Sequence, residues 1–156
     1  MSGAAEQIEL ISFEIGEQEY CIDVRSVREI RGWSPTTAMP QTPDYMLGVI
    51  NLRGTVIPVL DLRCRLGLGP TEPSARHVIV VIEHDARTAG LLVDAVQETF
   101  QVDAGLLQAA PTMGGSPQDR LVDAVIPLEH RMLSRLVVGS LFPAEVLQVF
   151  EALEPA

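Results

Sequence analysis

The side chains with which this chain could do chemistry are three histidines, two cysteines and a surplus of carboxylates. His77 opens a β-branched run, His84 stands beside Asp85, and His130 follows Glu129. No two of them have the H-x-x-x-H spacing that places paired imidazoles on one helix face, so each reads as a turn or strand-end histidine. Cys21 and Cys64 lie in no C-x-x-C pair and near no histidine at metal-ligand spacing; they read as reduced, half-buried thiols of a cytosolic protein. The carboxylates fall at turns or at polar positions of alternating segments, the pattern of a solvated face, and a catalytic acid pair has no support. There is no G-x-G-x-x-G, no phosphate-loop motif and no serine in G-x-S-x-G, and Gly114-Gly115 is a lone flexible pair. The chain contains no lysine, so a phosphate-loop lysine, Schiff-base chemistry and lysine nucleophiles are ruled out. Positive evidence for catalysis is absent.

The polar group that stands apart is an arginine. Asn51-Leu52-Arg53-Gly54 puts Arg53 at the tip of a turn between two aliphatic strands. On general grounds such an arginine is a solvated turn residue. The alternative is a planar donor displayed to a partner or locked to a carboxylate, for which Glu29 in the element V-x-x-V-x-E is the nearest choice. Val24 and Val27 would then form an apolar floor beside it, and an apolar groove with a charged rim is a protein-docking surface in outline.

These residues sit on short strands. Leu10-Ile11-Ser12-Phe13-Glu14-Ile15 and Tyr20-Cys21-Ile22-Asp23-Val24 read as a hairpin turning at residues 16–19. Val24, Val27 and Ile30 fit one helical turn or an irregular strand. Residues 32–44 form a proline-bearing loop with Trp33, and residues 49–62 form a second hairpin turning at Arg53-Gly54. Residues 67–74 form a further loop. Residues 77–83 are β-branched enough for a central strand, and Leu91-Leu92-Val93 follows a short turn. Residues 112–119 look flexible, and residues 122–141 supply two more strands. A helix over 143–153, with Val146, Leu147, Phe150 and Leu153 on its apolar side and Pro143 at its start, closes the chain. Many short strands predict an all-β barrel or sandwich.

A repeat underlies this order. Offset by 69 residues, Val24, Val27 and Glu29 fall on Val93, Val96 and Glu98. Offset by 76, Val49-Ile50, Leu52, Ile57 and Leu60 fall on Val125-Ile126, Leu128, Leu133 and Leu136. Halves of about 70 residues are small for independent cores, so two lobes sharing apolar surface are expected.

At 156 residues, 47% apolar and 21% charged, the chain has a globular composition and the length of one domain. The net charge of -10 argues against a phosphate-gripping nucleic-acid binder and against a polybasic membrane binder. No apolar run reaches the roughly 20 residues of a membrane span, and the first residues do not resemble a secretory leader. The total hides a gradient. Residues 1–23 hold six acids and no base, whereas residues 25–65 hold six arginines against three acids, in the stretch that carries the docking outline.

Phe13-Glu14-Ile15-Gly16 with residues 19–24 resembles the opening hairpin of the CheW family of bacterial chemotaxis coupling proteins. Val27-Arg28-Glu29-Ile30 resembles its V-x-E-I element. The stretch Leu47-Gly48-Val49-Ile50-Asn51-Leu52-Arg53-Gly54, continuing through Pro58, Asp61 and Leu62, is similar to the family signature G-x-x-N-L-R-G-x-x-x-P-V-x-D-L almost letter for letter. Gly90 to Val96 looks like the second hairpin. The likeness spans residues 8–150, and weakens over residues 134–142.

The resemblance implies two intertwined five-stranded SH3-like barrels with a short C-terminal helix, in a single domain over 1–156. The approximate lobes are 8–75 and 76–142, with the helix at 143–153. It implies a non-enzymatic, cofactor-free, cytoplasmic adaptor, recruited to receptor arrays. Its partners would be chemoreceptor cytoplasmic tips and the regulatory domain of the histidine kinase CheA, with no nucleic acid and no membrane insertion. Receptor contacts would come from Val24, Val27, Glu29, Gly48 and Arg53, with Glu29 and Arg53 paired. Asn51, Leu52, Gly54, Pro58 and Asp61 would hold the motif, and Trp33 and Met39 would face the kinase, which the other lobe would hold. A scaffold of a non-flagellar pathway, for surface motility or development, is the alternative. A small β-barrel hydrolase with carboxylates in the groove and a nucleic-acid-binding barrel are more distant ones.

Overall fold

A computed structural model describes residues 6–110 and 120–153. The flexible segment expected at residues 112–119 lies outside them. Among the described residues eleven strands form two sheets. The first joins β3 (Val27–Gly32), β6 (Val78–His84), β7 (Arg87–Val93), β5 (Thr55–Asp61) and β4 (Met46–Leu52), in that spatial order. The second runs β8 (Ala95–Asp103), β1 (Gln7–Ile15), β2 (Gln18–Asp23), β11 (Arg131–Leu136), β10 (Val122–Leu128) and β9 (Gln108–Ala109). The sixth strand, β9, is two residues long and extends an otherwise matching five-stranded set. The expected all-β, two-lobed architecture with a C-terminal helix is therefore present.

The repeat holds at the level of register. Val27 faces Ile82 as Val96 faces Phe13, and Glu29 faces Val81 as Glu98 faces Ser12. The parallel pair Val59 with Gly90 is answered by Arg135 with Cys21. The sheets do not divide the chain at residue 75, as the approximate lobes 8–75 and 76–142 would have it. Each half's first hairpin is exchanged: β1–β2 completes the sheet of β8, β10 and β11, while β6–β7 completes that of β3, β4 and β5. A central hairpin flanked on both sides satisfies its backbone groups whichever half supplies it, so proximity in sequence does not fix the partner.

Burial follows from this exchange. The first sheet covers Ile50, Leu52, Ile57, Val59, Ile79, Val81 and Leu92. The second covers a smaller set, Leu10, Cys21, Val102, Ile126 and Leu133. The largest cluster, including Phe13, Tyr20, Leu60, Val80 and Leu91, draws on both sheets and makes the lobes one unit. Helix α2 (Ala144–Leu153) buries Val146 and Val149 in that shared core, and Tyr45 ties it down by donating to Glu145 at 2.5 Å. The short helix α1 (Leu62–Arg65) is capped by Asp61.

Candidate functional site

Arg53 stands where the sequence placed it, and its backbone explains why. It and Gly54 form the two-residue loop between β4 and β5, with φ of 51° and 90°. Two positive φ values are what a tight hairpin of this hand requires, and a non-glycine residue at the first position is strained. Asn51 supports the turn, its Oδ1 accepting from the Gly54 N–H at 2.7 Å. The Arg53 side chain is 72% exposed and is bonded to Glu29 of β3. That hydrogen bond, with Arg53's charge, holds the Glu29 carboxyl below the usual carboxylate range. A second ion pair, Arg28 with Glu83, crosses from β3 to β6. Both pairs border a groove of about 490 Å³ whose floor is Leu52, Ile57 and Val81, with Thr55 and Thr88 on its wall.

This floor is not the one expected. Val24 sits in a 3-10 turn capped by Asp23, Val27 begins β3, and both pack half-buried against the shared core. The register shift between Val27 and Glu29 separates them: a bulge re-aims the strand, so Glu29 reaches the groove while Val27 stays on the core. Residues 79–82 of β6 are buried on both faces, and Glu83 continues the face of Val81 to the rim of the groove.

Gly48 is buried and its role is steric. A Cβ there would lie 2.4 Å from the main-chain oxygen of Thr37, at φ 142°. The close approach allows Thr37 and Val49 to exchange two backbone hydrogen bonds of 2.9 Å. With Val49 committed to Thr37, its opposite residue Pro58 owes β4 no N–H, which is why proline is tolerated inside β5. Asp61 is 1% exposed; its carboxylate accepts from the Thr71 N–H and hydroxyl, each at 2.7 Å, and from the Cys64 N–H at 3.4 Å. Trp33 packs against the core beneath the groove, and Met39 against the shared core.

A cavity of about 760 Å³ lies elsewhere and includes Glu14, Arg63, Glu72, His77 and Asp94. Its carboxylates would suit the hydrolase reading, but Asp94, Glu14 and His77 are already engaged. Asp94 accepts from the Gly16 N–H at 2.6 Å and Glu14 from Gln97 at 3.0 Å. His77 Nδ1 lies 3.1 Å from the Ser74 hydroxyl, yet its lone pair already accepts the Ser74 main-chain N–H at 3.0 Å. That imidazole is not placed to take a hydroxyl proton. Burial pushes the Cys21 thiol up to about 12, and Cys64 is raised in the same direction, so neither is an activated nucleophile. Among the described residues no helix is long and apolar enough to cross a membrane.

Comparison with known proteins places the chain in a family. The CheW-like domain matches residues 9–146. The probable chemotaxis protein CheW of Rhizobium etli is 46% identical over 134 residues, 86% of each chain. The chemotaxis protein CheW of Rhizobium meliloti is 44% identical over 137 residues, 88% of each. Among solved structures, the scaffolding protein TtCheW of Thermoanaerobacter tengcongensis superimposes with a TM-score of 0.82 at 29% identity. That superposition covers 90% of this chain and 96% of the other.

Proposed function

The chain belongs to the family of CheW-like domain proteins, and from that premise we propose that it is a non-enzymatic adaptor of chemotaxis. It couples the cytoplasmic tips of chemoreceptors to the regulatory domain of a CheA-type histidine kinase, in the cytoplasm at receptor arrays. The observation that carries this reading is the Glu29–Arg53 pair, displayed on a strained turn over an apolar floor. A strained, exposed arginine whose fork is pre-set by a carboxylate suits recognition better than stability, because exposed pairs contribute only about 0–1 kcal/mol. The receptor tip lays the apolar side of its helical hairpin over Leu52, Ile57 and Val81. Arg53 and Glu29 set its orientation, and Val24 and Val27 hold β3 from the core side. Gly48 contributes through the fold of β4. The other lobe holds the kinase domain, and Trp33 and Met39 supply loop contacts to it.

Relatives named as chemotaxis proteins favour this over a non-flagellar scaffold. Pull-down with a receptor-tip fragment and, separately, with the kinase regulatory domain tests the reading. Capture of both supports it. Capture of neither, from a folded protein, contradicts it.

A further inference from the structure

The loop between α1 and β6 is tied to the fold by two buried side chains, Asp61 and His77. Asp61 accepts the Thr71 N–H and hydroxyl near the middle of the loop. His77 Nδ1 accepts the Ser74 N–H at 3.0 Å near its end. A ring nitrogen that accepts a hydrogen bond carries no proton, so this second tie exists only while His77 is neutral, with its hydrogen on Nε2. Nε2 lies 3.5 Å from Asp94 Oδ1, at the long limit of a hydrogen bond.

The same imidazole has a second arrangement within reach. Once protonated, Nδ1 is a donor and no longer accepts the Ser74 N–H. The Ser74 hydroxyl oxygen, 3.1 Å away, can take its hydrogen. At the other nitrogen, the long contact becomes an ion pair with Asp94. Asp94 is the single residue between β7 and β8, where the chain passes from one sheet to the other. Its second oxygen accepts from the Gly16 N–H, in the β1–β2 turn, at 2.6 Å. The main chain of His77 is anchored independently of the loop, its carbonyl accepting from the Trp33 N–H at 3.1 Å. The charged groups around the ring line the cavity of about 760 Å³: Glu14 of β1, Arg63 of α1, Glu72 and Arg76 of the loop, and Asp94. Three acids against two arginines leave a balance of -1, which attracts a charged imidazole.

We propose that His77 is a proton-operated switch that moves one tie from the loop to the junction of the two sheets. Neutral, it holds the Ser74 N–H and engages Asp94 only loosely. Charged, it releases that N–H and fastens the start of β6 to Asp94, and through Asp94 to the β1–β2 turn. The cavity wall between Thr71 and Ser74 then loses one of its two side-chain ties. The switch goes beyond the adaptor reading and stands without it.

NMR of the full chain tests this, because only three histidines contribute imidazole signals. The titration runs from about pH 8 to about pH 5, the span over which histidine changes charge. At the upper end, nitrogen shifts should place the His77 hydrogen on Nε2. On acidification His77 should become charged. The Ser74 amide, corrected for intrinsic exchange, should lose several-fold to about tenfold of its protection, the scale of one hydrogen bond. In His77→Asn, whose Oδ1 accepts without titrating, that amide should stay protected throughout. Asp94→Asn should lower the His77 titration midpoint, as removal of an opposite charge does. The proposal is overturned by a hydrogen on Nδ1 at the upper end, by an imidazole still neutral at the lower end, or by Ser74 protection equal at both. An equal loss of protection in His77→Asn, or a midpoint that Asp94→Asn leaves in place, also overturns it.

Discussion

Gly48→Ala separates a contact residue from a structural one. The added Cβ meets the Thr37 oxygen at 2.4 Å, its carbonyl carbon at 2.8 Å and Thr36 Cβ at 3.1 Å. All three atoms are backbone or backbone-proximal, so no side chain can swing away. If the arm of residues 36–37 stays, the protein bears overpacking of about 1–3 kcal/mol. Backbone strain at φ 142° adds roughly 1–3 kcal/mol. If the arm detaches, three hydrogen bonds go: the two between Thr37 and Val49, and Thr36 Oγ1 to the Leu47 carbonyl at 3.0 Å. At about 1 kcal/mol each, that is about 3 kcal/mol. The first route costs about 2–6 kcal/mol and the second about 3 kcal/mol, which for a chain of this size lowers Tm by about 5–20 °C. Thermal melting with urea titration measures it. A melting temperature equal to wild type, with weakened receptor binding, would refute the steric reading and make Gly48 a contact.

Other outcomes follow from the same geometry. Arg53→Asn places a residue that tolerates the left-handed conformation at φ 51°; it should raise stability by up to about 1 kcal/mol while weakening receptor binding, read by melting and titration together. Asp61→Ala removes the cap of α1 and leaves the Thr71 N–H and hydroxyl unpaired, costing about 2–4 kcal/mol in urea unfolding. Glu29 is depressed by its bond from Arg53, so the pair persists above the ordinary carboxylate value of 4.5 and is lost only as pH falls through the lower, folded value. Receptor binding should therefore hold from neutral pH down to that value; a loss between pH 7 and 5 would count against the pair.

What the sequence showed was set by local chemistry. Arg53-Gly54 between aliphatic runs specifies a hairpin wherever it lies, and the β-branched run over β6 specifies a central strand. The strand β8 was not legible, because Ala95–Asp103 lies at a sheet edge and buries only Val102, so no alternation marks it. The exchange of hairpins was legible only through the family resemblance, which implied intertwined barrels, since the repeat constrains which strands are equivalent and not which halves they join. The packing of Val27 was not legible because V-x-x-V-x-E hides a bulge: even spacing in sequence does not keep Val27 and Glu29 on one face once the register shifts.

The central claim is that the Glu29–Arg53 pair serves docking and not the fold. Receptor-fragment affinity and melting temperature, measured on Glu29→Ala, Arg53→Ala and the double variant, test it most directly. The account predicts that each single change weakens binding several-fold and the double change adds little to either, as coupled residues do. Melting should shift by no more than a few degrees, the scale of an exposed pair. Unchanged binding in both single variants, or binding lost only in step with unfolding, would contradict it.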